Sequence, residues 1–326
     1  MHVFLTGATG FIGKNLIPYL LERNCTLTCL VRDPRRLPED LKSKVRIIIG
    51  ELDNLGPDVQ NELESTDVVV HLAGQPWGRT YRDFNRVNCD GTRDLIDAVQ
   101  TAGAPLKRFV YMSTLSAAGP SSLGIPRTEE DPEEPMSWYG QSKLAGEKVF
   151  ADASFPWTIL RPPTVYGPWD QDVKRFFNLA NWHLRPYLLG GPFELSLVHV
   201  NDVCRAVWLV MSKENLPQSI YYLNDGQPIY QFNDVTDEIM KAIGKWHIVI
   251  PVPWGATWLA EKILALGMKI GLVPLRLTAD KLREIRRHAW TCSADLIASR
   301  LDFKPEFTLR KGIDLTVQWY QANQWQ

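Results

Sequence analysis

The sequence predicts an α/β fold, a doubly wound parallel sheet with a smaller interleaved domain. Three observations predict it. Apolar strand-like runs alternate with helix-like runs through the first half of the chain, and that alternation implies right-handed βαβ units. The strand-like runs are almost continuously apolar, as in a sheet covered on both faces. The first of them leads through a glycine-rich turn directly into a helix. A length of 326 residues fits about two domains. A hydrophobic content of 45% supports a large core, and a net charge of −1 gives no electrostatic reason to expect nucleic acid.

The elements follow in order. Residues 2–5 read as the first strand and 14–21 as the first helix. Further strands are expected at 26–31, 45–49, 67–72, 108–112 and 157–160, with a helix at 85–102 between the fourth and fifth. A strand beginning at residue 2 predicts no signal peptide. The five cysteines are odd in number and lack metal or redox spacing, so free buried thiols in a reducing, cytoplasmic setting are expected. No histidine spacing suggests a metal site.

The turn after the first strand reads TGATGFIG, residues 6–13. Gly7 permits a sharp turn, Gly10 lets the backbone approach a pyrophosphate, and Gly13 lets helix and strand pack closely. With Thr9, Phe11 and Ile12 at the head of the helix, the turn offers N–H groups and a partial positive charge to phosphates. This is the pattern of a dinucleotide-binding Rossmann fold. After the second strand, where an acid would bind the ribose 2′-hydroxyl of NAD, stands Arg32, followed by Arg35 and Arg36. A guanidinium suits a 2′-phosphate, so NADP is favoured, with NAD possible. After the third strand, Glu51 and Leu52 are placed to meet the adenine, although an acid there also suits a helix cap. After the fourth, Leu72, Ala73 and Gly74 are small enough for the backbone to pass under a ribose. His71 reads as a packed core histidine.

Among ten tyrosines only Tyr139 has a lysine four residues on, Lys143, in YGQSK. On a helix the two share a face. A phenol titrates near ~10, and a neighbouring ammonium lowers that value, so the pair suits general acid–base work. A surface Tyr–Lys pair is the plainer alternative. Ser113 and Thr114, after the fifth strand, place hydroxyls at the same sheet end.

With these segments in view, the chain resembles the extended short-chain dehydrogenases/reductases of the NAD(P)-dependent epimerase/dehydratase group. TGATGFIG, HLAG, NCDGT, FVYMSTLSAAG, YGQSK, LRPPTVYGP and LVHVNDV occur in the family's order across the chain. The resemblance implies Thr114 as the catalytic hydroxyl in preference to Ser113, and Tyr139 as the proton donor or acceptor. It implies that Lys143 tunes Tyr139 and holds the nicotinamide ribose, that Asn88 supports the site, and that Pro162 to Val165 pass beside the nicotinamide. It implies a dinucleotide-binding domain at 1–165 and 196–227 and a substrate-binding domain at 166–195 and 228–326. It also implies a homodimer formed through helices around 88–102 and 139–151.

Departures from subgroups of the family narrow the substrate. The 4,6-dehydratases carry an Asp-Glu pair where Leu115 and Ser116 stand. Sugar-nucleotide epimerases often carry an Asn at the position of Thr164 and an Arg at that of Leu195. A diphosphate without that arginine lacks a charge-assisted bond. Residues 251–277 are largely apolar but are interrupted by Glu261, Lys262 and Lys269, so they do not form a transmembrane span. They read as a core helix, an apolar substrate wall or an interfacial helix. Trp77, Tyr81 and Phe84 are expected to add aromatic surface. The character is closest to the 3β-hydroxysteroid dehydrogenase-like and dihydroflavonol reductase-like branches. The expected activity is NADP-dependent reduction of a ketone, or oxidation of a secondary alcohol, on an apolar small molecule. A sugar-nucleotide epimerase or reductase is the alternative, and a non-catalytic NADP-binding scaffold the second.

Overall fold

The structure is a computed structural model that describes residues 1–103, 105–253, 284 and 287–323. Six strands lie where apolar runs were expected: β1 His2–Thr6, β2 Thr26–Val31, β3 Arg46–Ile49, β4 Val68–His71, β5 Arg108–Met112 and β6 Trp157–Arg161. A seventh, Ser219–Tyr222, completes a sheet whose order runs from Ser219–Tyr222 through β6, β5, β4, β1 and β2 to β3. Every pairing in it is parallel. The chain winds outward from β1 in one direction and then from β4 in the other, so the switch point lies between β1 and β4.

Alternation along each strand divides the core in two. Val3, Leu5, Val68 and Val70 face Leu16, Ile17 and Leu20 of helix Phe11–Leu21, together with Val203, Val207 and Val210 of helix Val200–Ser212. Phe4, Val69, Phe109 and Tyr111 face Leu95, Ile96 and Val99 of helix Gly91–Ala102, with Val59, Leu63 and Phe150. A third cluster lies apart from the sheet. It joins Tyr166, Phe177, Leu195, Ile239 and Ile313, and so draws on helices Lys174–Asn181, Phe232–Ile243 and Leu309–Ala322.

Two elements differ from expectation. The helix expected over 85–102 begins earlier, at Tyr81–Asn85, and passes through a π-helical turn at Arg86–Asp90 before Gly91–Ala102. The extra residue in that turn leaves the sequence pattern nearly unchanged, so periodicity does not reveal it. The strand Ser219–Tyr222 was not expected. The apolar stretch 254–275 lies outside the described residues. Among the described residues no helix is long and apolar enough to cross a membrane.

Phe109 is fully buried, with ring centroids 5.1 Å from Phe150 and 5.5 Å from Phe155. Phe109→Ala empties the centre of one core layer and should cost about 3–5 kcal/mol. Denaturant unfolding measures this, and a loss below about 1 kcal/mol would show that the layer collapses around the gap.

Candidate active site

Because all strands of the main sheet run the same way, their C-terminal ends share one edge. That edge carries the glycine turn after β1, Arg32 after β2, Glu51 and Leu52 after β3, Leu72–Gly74 after β4, Thr114 after β5 and Pro162 after β6. The expected site residues are thereby brought to one side of the molecule, at the position where open α/β sheets take ligands.

Gly7 holds φ +75°, and a Cβ on it would stand 2.6 Å from both the Ala73 nitrogen and the Leu72 carbonyl carbon. The glycine turn and the end of β4 are therefore in direct backbone contact across the switch point. The Gly10 N–H donates to the Gly7 carbonyl at 2.9 Å and closes the turn. Gly10 is the helix N-cap, has no side-chain cap, and is exposed on the open side of the turn. These features fit a cradle for phosphates. Beside it gathers positive charge. Arg32 is exposed at the end of β2. Asp33 accepts from the backbone and guanidinium of Arg35, the latter at 2.8 Å, and so neutralises that arginine. Burial lowers the Lys14 pKa, and the Arg36 charge lowers it further. Lys14 Nζ also lies 4.4 Å from the centre of the Trp169 ring. Glu51 is exposed, and Leu52 packs against Gly91.

Asn88, inside the π-helical turn, is fully buried. Its Oδ1 accepts from Gln75 N at 2.7 Å, and its Nδ2 donates to Ser142 Oγ at 2.8 Å. It thus fastens the loop after β4 to helix Trp138–Lys148. Lys143 of that helix is 2% exposed and lies over the Tyr111 ring at 4.1 Å. A Cβ on Gly74 would stand 3.3 Å from Asn88 Oδ1 and 3.7 Å from Lys143 Nζ, so these three residues meet. Burial pushes Lys143 down to about 7, against the raising effect of Glu147. His71 is a core residue, as expected. Its ring bonds Thr6 Oγ1 at 2.5 Å and Thr92 Oγ1 at 3.0 Å, stacks on Tyr111, and stays neutral because burial lowers its pKa to about 3.

The two hydroxyls after β5 part company. Ser113 is buried and donates to Glu147 Oε1. Thr114 is half-buried, and its Oγ1 accepts the Ser116 N–H at 3.2 Å as the cap of helix Leu115–Ala118. The Leu115 N–H donates to the Pro162 carbonyl at 2.8 Å, which brings the segment after β6 beside Thr114. Helix Trp138–Lys148 starts against the same short helix, since a Cβ on Gly140 would stand 2.9 Å from the Ser116 carbonyl carbon. Tyr139, one residue earlier, is half-buried at this junction. Val165 lies in strand Thr164–Tyr166, paired with Leu197–His199.

Sequence reasoning missed the polar frame behind these residues. Arg161, 1% exposed, donates to both oxygens of Glu147, to Tyr222 at 3.2 Å and to Glu133 at 3.1 Å. Ser137 caps the Tyr139 helix and donates to the buried Glu284 at 2.6 Å. Glu147 could have been found, because it falls on the helix face of Lys143 one turn on; nothing local signals its partner. One substrate expectation also changes. Phe84 is 1% exposed and belongs to the core rather than to a cleft wall, whereas Tyr81 is exposed. Leu195 is buried in the third cluster, between strands Tyr230–Gln231 and Ala289–Trp290.

Residues 3–223 match the family described as NAD dependent epimerase/dehydratase. A ceramide reductase of Caulobacter vibrioides is 29% identical over 325 residues, covering 99% of this chain and 95% of that protein. A putative dihydroflavonol 4-reductase of Synechocystis is 31% identical, covering 98% and 94%. The solved structure of MoeE5 in complex with UDP-glucuronic acid and NAD superposes with a TM-score of 0.78 at 24% identity, over 99% of this chain and all of that one. At that identity the superposition speaks for the fold.

Lys143 generates a pH prediction. In the unfolded chain a lysine titrates near ~10.4, but here it falls to about 7. Between those values the unfolded state binds more protons, so this group makes stability rise with pH. Lys143→Met removes the buried charge. Its stability relative to wild type should be most favourable below about pH 7 and should decline steadily toward ~10.4. Denaturant unfolding of both proteins from pH 6 to 9.5, roughly, tests this. A difference that stays constant with pH would mean that Lys143 titrates normally.

Proposed function

Because the chain belongs to the NAD dependent epimerase/dehydratase family, we propose that it is an oxidoreductase of the extended short-chain dehydrogenase/reductase type. It passes hydride between NADP and a ketone or secondary alcohol of a largely apolar substrate. The observation that carries this reading is the convergence of Thr114, helix Trp138–Lys148 with Tyr139 and Lys143, and Gly74 at the sheet edge that also holds the glycine turn.

In this reading Gly7, Thr9, Gly10, Phe11, Ile12 and Gly13 take the pyrophosphate, and Arg32 takes the 2′-phosphate, with Lys14 and Arg36 adding charge. Glu51 and Leu52 border the adenine. Leu72, Ala73, Gly74 and Asn88 border the ribose, and Pro162 and Val165 the nicotinamide. When bound, NADP supplies the hydride. Thr114 donates a hydrogen bond that orients the substrate carbonyl. Tyr139 gives its phenolic proton to the carbonyl oxygen as the carbonyl carbon gains the hydride, and the alcohol forms. Lys143 would hold the ribose, and a phenolate on Tyr139 would favour its protonated form. Alcohol oxidation runs the same steps backwards.

Three observations support an apolar substrate. The two relatives are named for reduction of a ceramide and of a dihydroflavonol. Leu195 faces a packed core, where a diphosphate-binding arginine would need a partner. Two arginines elsewhere that could replace it are engaged: Arg175 with Asp172 at 3.5 Å, and Arg185 with Asp237 at 3.4 Å and the Asn233 carbonyl at 2.9 Å. The third hydrophobic cluster supports a substrate-binding domain at 166–195 and 228–326, beside a cofactor domain at 1–165 and 196–227. The reading also includes a cytoplasmic homodimer. In it the two subunits pair through the helices around 88–102 and 139–151.

Two measurements test the reading. Arg32→Ala should weaken NADP roughly ten- to a hundredfold, the scale of one bond to a charged group, and leave NAD nearly unchanged. Equal effects on both cofactors would refute the 2′-phosphate assignment. In the NADP-bound protein, steroid, flavonoid or long-chain keto compounds should raise the melting temperature by mass action, and UDP-glucose should not. Tyr139→Phe should then abolish turnover of whichever compound is reduced while NADP still binds. A saturable shift with UDP-glucose alone would move the protein to the epimerase reading.

A further inference from the structure

Helix Phe11–Leu21, whose head forms the glycine turn, is tied to a distant part of the chain through two adjacent residues. Asn15 Nδ2 donates to the Phe11 carbonyl and to the Pro168 carbonyl, each at 2.9 Å. Lys14 sets its ammonium over the ring of Trp169, the residue after Pro168. That ring also meets Trp319 of helix Leu309–Ala322, with centroids 4.9 Å apart, and Trp319 meets Tyr320 edge to face. Trp319 packs on the third hydrophobic cluster. One indole thus stands between the glycine-turn helix and the last helix of that cluster.

Both partners in this contact are held at a cost. The Trp169 backbone has φ +72°, a conformation that a bulky residue rarely adopts. Its flanks enforce it. Asn15 pins Pro168 on one side. On the other, the Asp170 carboxylate accepts the Asp172 and Val173 N–H groups at 2.9 Å each, and the Asp170 carbonyl accepts the Tyr320 hydroxyl at 3.3 Å. Lys14 stands at the end of the first turn of its helix, where the macrodipole disfavours a cation. Burial and the Arg36 charge disfavour it too, and among the described residues no carboxylate offsets them. The indole face is the compensating contact. Strain that persists to hold a cation in an adverse field points to an anion that comes to that cation. We propose that Trp169 is a positioning residue for the dinucleotide: it holds Lys14 ready for the phosphates and makes helix Leu309–Ala322 respond when they bind. The inference rests on the dinucleotide reading above and adds to it a link between the phosphates and the third cluster. A phosphate beside Lys14 favours the charged ammonium, and a fixed ammonium keeps the indole seated against Trp319.

The test needs no substrate. NADP is titrated calorimetrically into the purified full chain and its variants. Lys14→Met should weaken NADP roughly tenfold, the scale of one contact to a charged group. Trp169→Leu should weaken it roughly three- to tenfold, while Trp169→Phe keeps a ring face and should stay within about threefold. The double variant should bind no more weakly than Lys14→Met alone, because Trp169 acts through Lys14. Amide hydrogen exchange supplies the second readout. Saturating NADP should slow exchange across residues 309–322 in wild type and leave it unchanged in Lys14→Met. Lys14 lies half-buried on a helix surface, so this variant carries the exchange test should Trp169→Leu fail to fold. NADP affinity indifferent to both substitutions, losses that add in the double variant, or the same exchange response in wild type and Lys14→Met would each overturn the proposal alone. A wild-type chain that binds neither NADP nor NAD would refute the dinucleotide reading, and the proposal with it.

Discussion

The pair between Arg161 and Glu147 is the constraint on which the candidate site depends. Two opposite charges leave water at the end of β6, and neither could stay there alone. The guanidinium is satisfied by Glu147, Tyr222 and Glu133, and the carboxylate by Arg161 and Ser113. This one arrangement links β5, β6, the strand Ser219–Tyr222 and the helix that carries Tyr139 and Lys143. It also occupies Ser113, which leaves Thr114 as the hydroxyl at the open edge. The charge of Glu147, one helical turn from Lys143, partly offsets the cost of burying that ammonium.

Asn88 has the complementary role on the cofactor side. Its amide reaches the loop after β4 with one end and the Tyr139 helix with the other. The π-helical turn sets this register, because it adds a residue to the helix just where the amide must point inward. The two halves of the proposed site are thus joined by backbone and amide contacts that do not titrate. The groups proposed to move protons sit between them.

Much of this was legible in the sequence. All six early strands were found to within one residue at either end, because near-continuous Val, Ile and Leu runs have few other uses at that length. The glycine turn was legible because its steric demands are local. The Gly7 contact with Leu72 and Ala73 shows why no larger residue would serve. That Tyr139 and Lys143 share one helix was legible because helical spacing is a local rule. What escaped depends on distance through space. Arg161 and Glu147 lie 14 positions apart, and Ser137 and Glu284 lie 147 apart, so no window in the sequence holds both partners. Phe84 misled for the same reason. Its sequence neighbours are polar, and only the packed fold shows that it is buried.

The sheet order has a consequence for how the chain comes together. β1 ends up in the middle, between β2 and β4, and none of its neighbours can join it through a tight hairpin. His2 pairs with Thr26 across one crossover, but Val3 meets Val68 only after helix Glu39–Lys42, β3 and helix Pro57–Leu63 have been made. A chain emerging from the ribosome therefore holds one flank of β1 open for some forty residues after the other has closed. Loops of that length close slowly, and an unpaired central strand is a ready template for a wrong partner. The outermost strand, Ser219–Tyr222, arrives last and covers β6. Assembly of the cofactor half thus waits on residues well past the Tyr139 helix, and a chain stopped before them would display the free edge of β6.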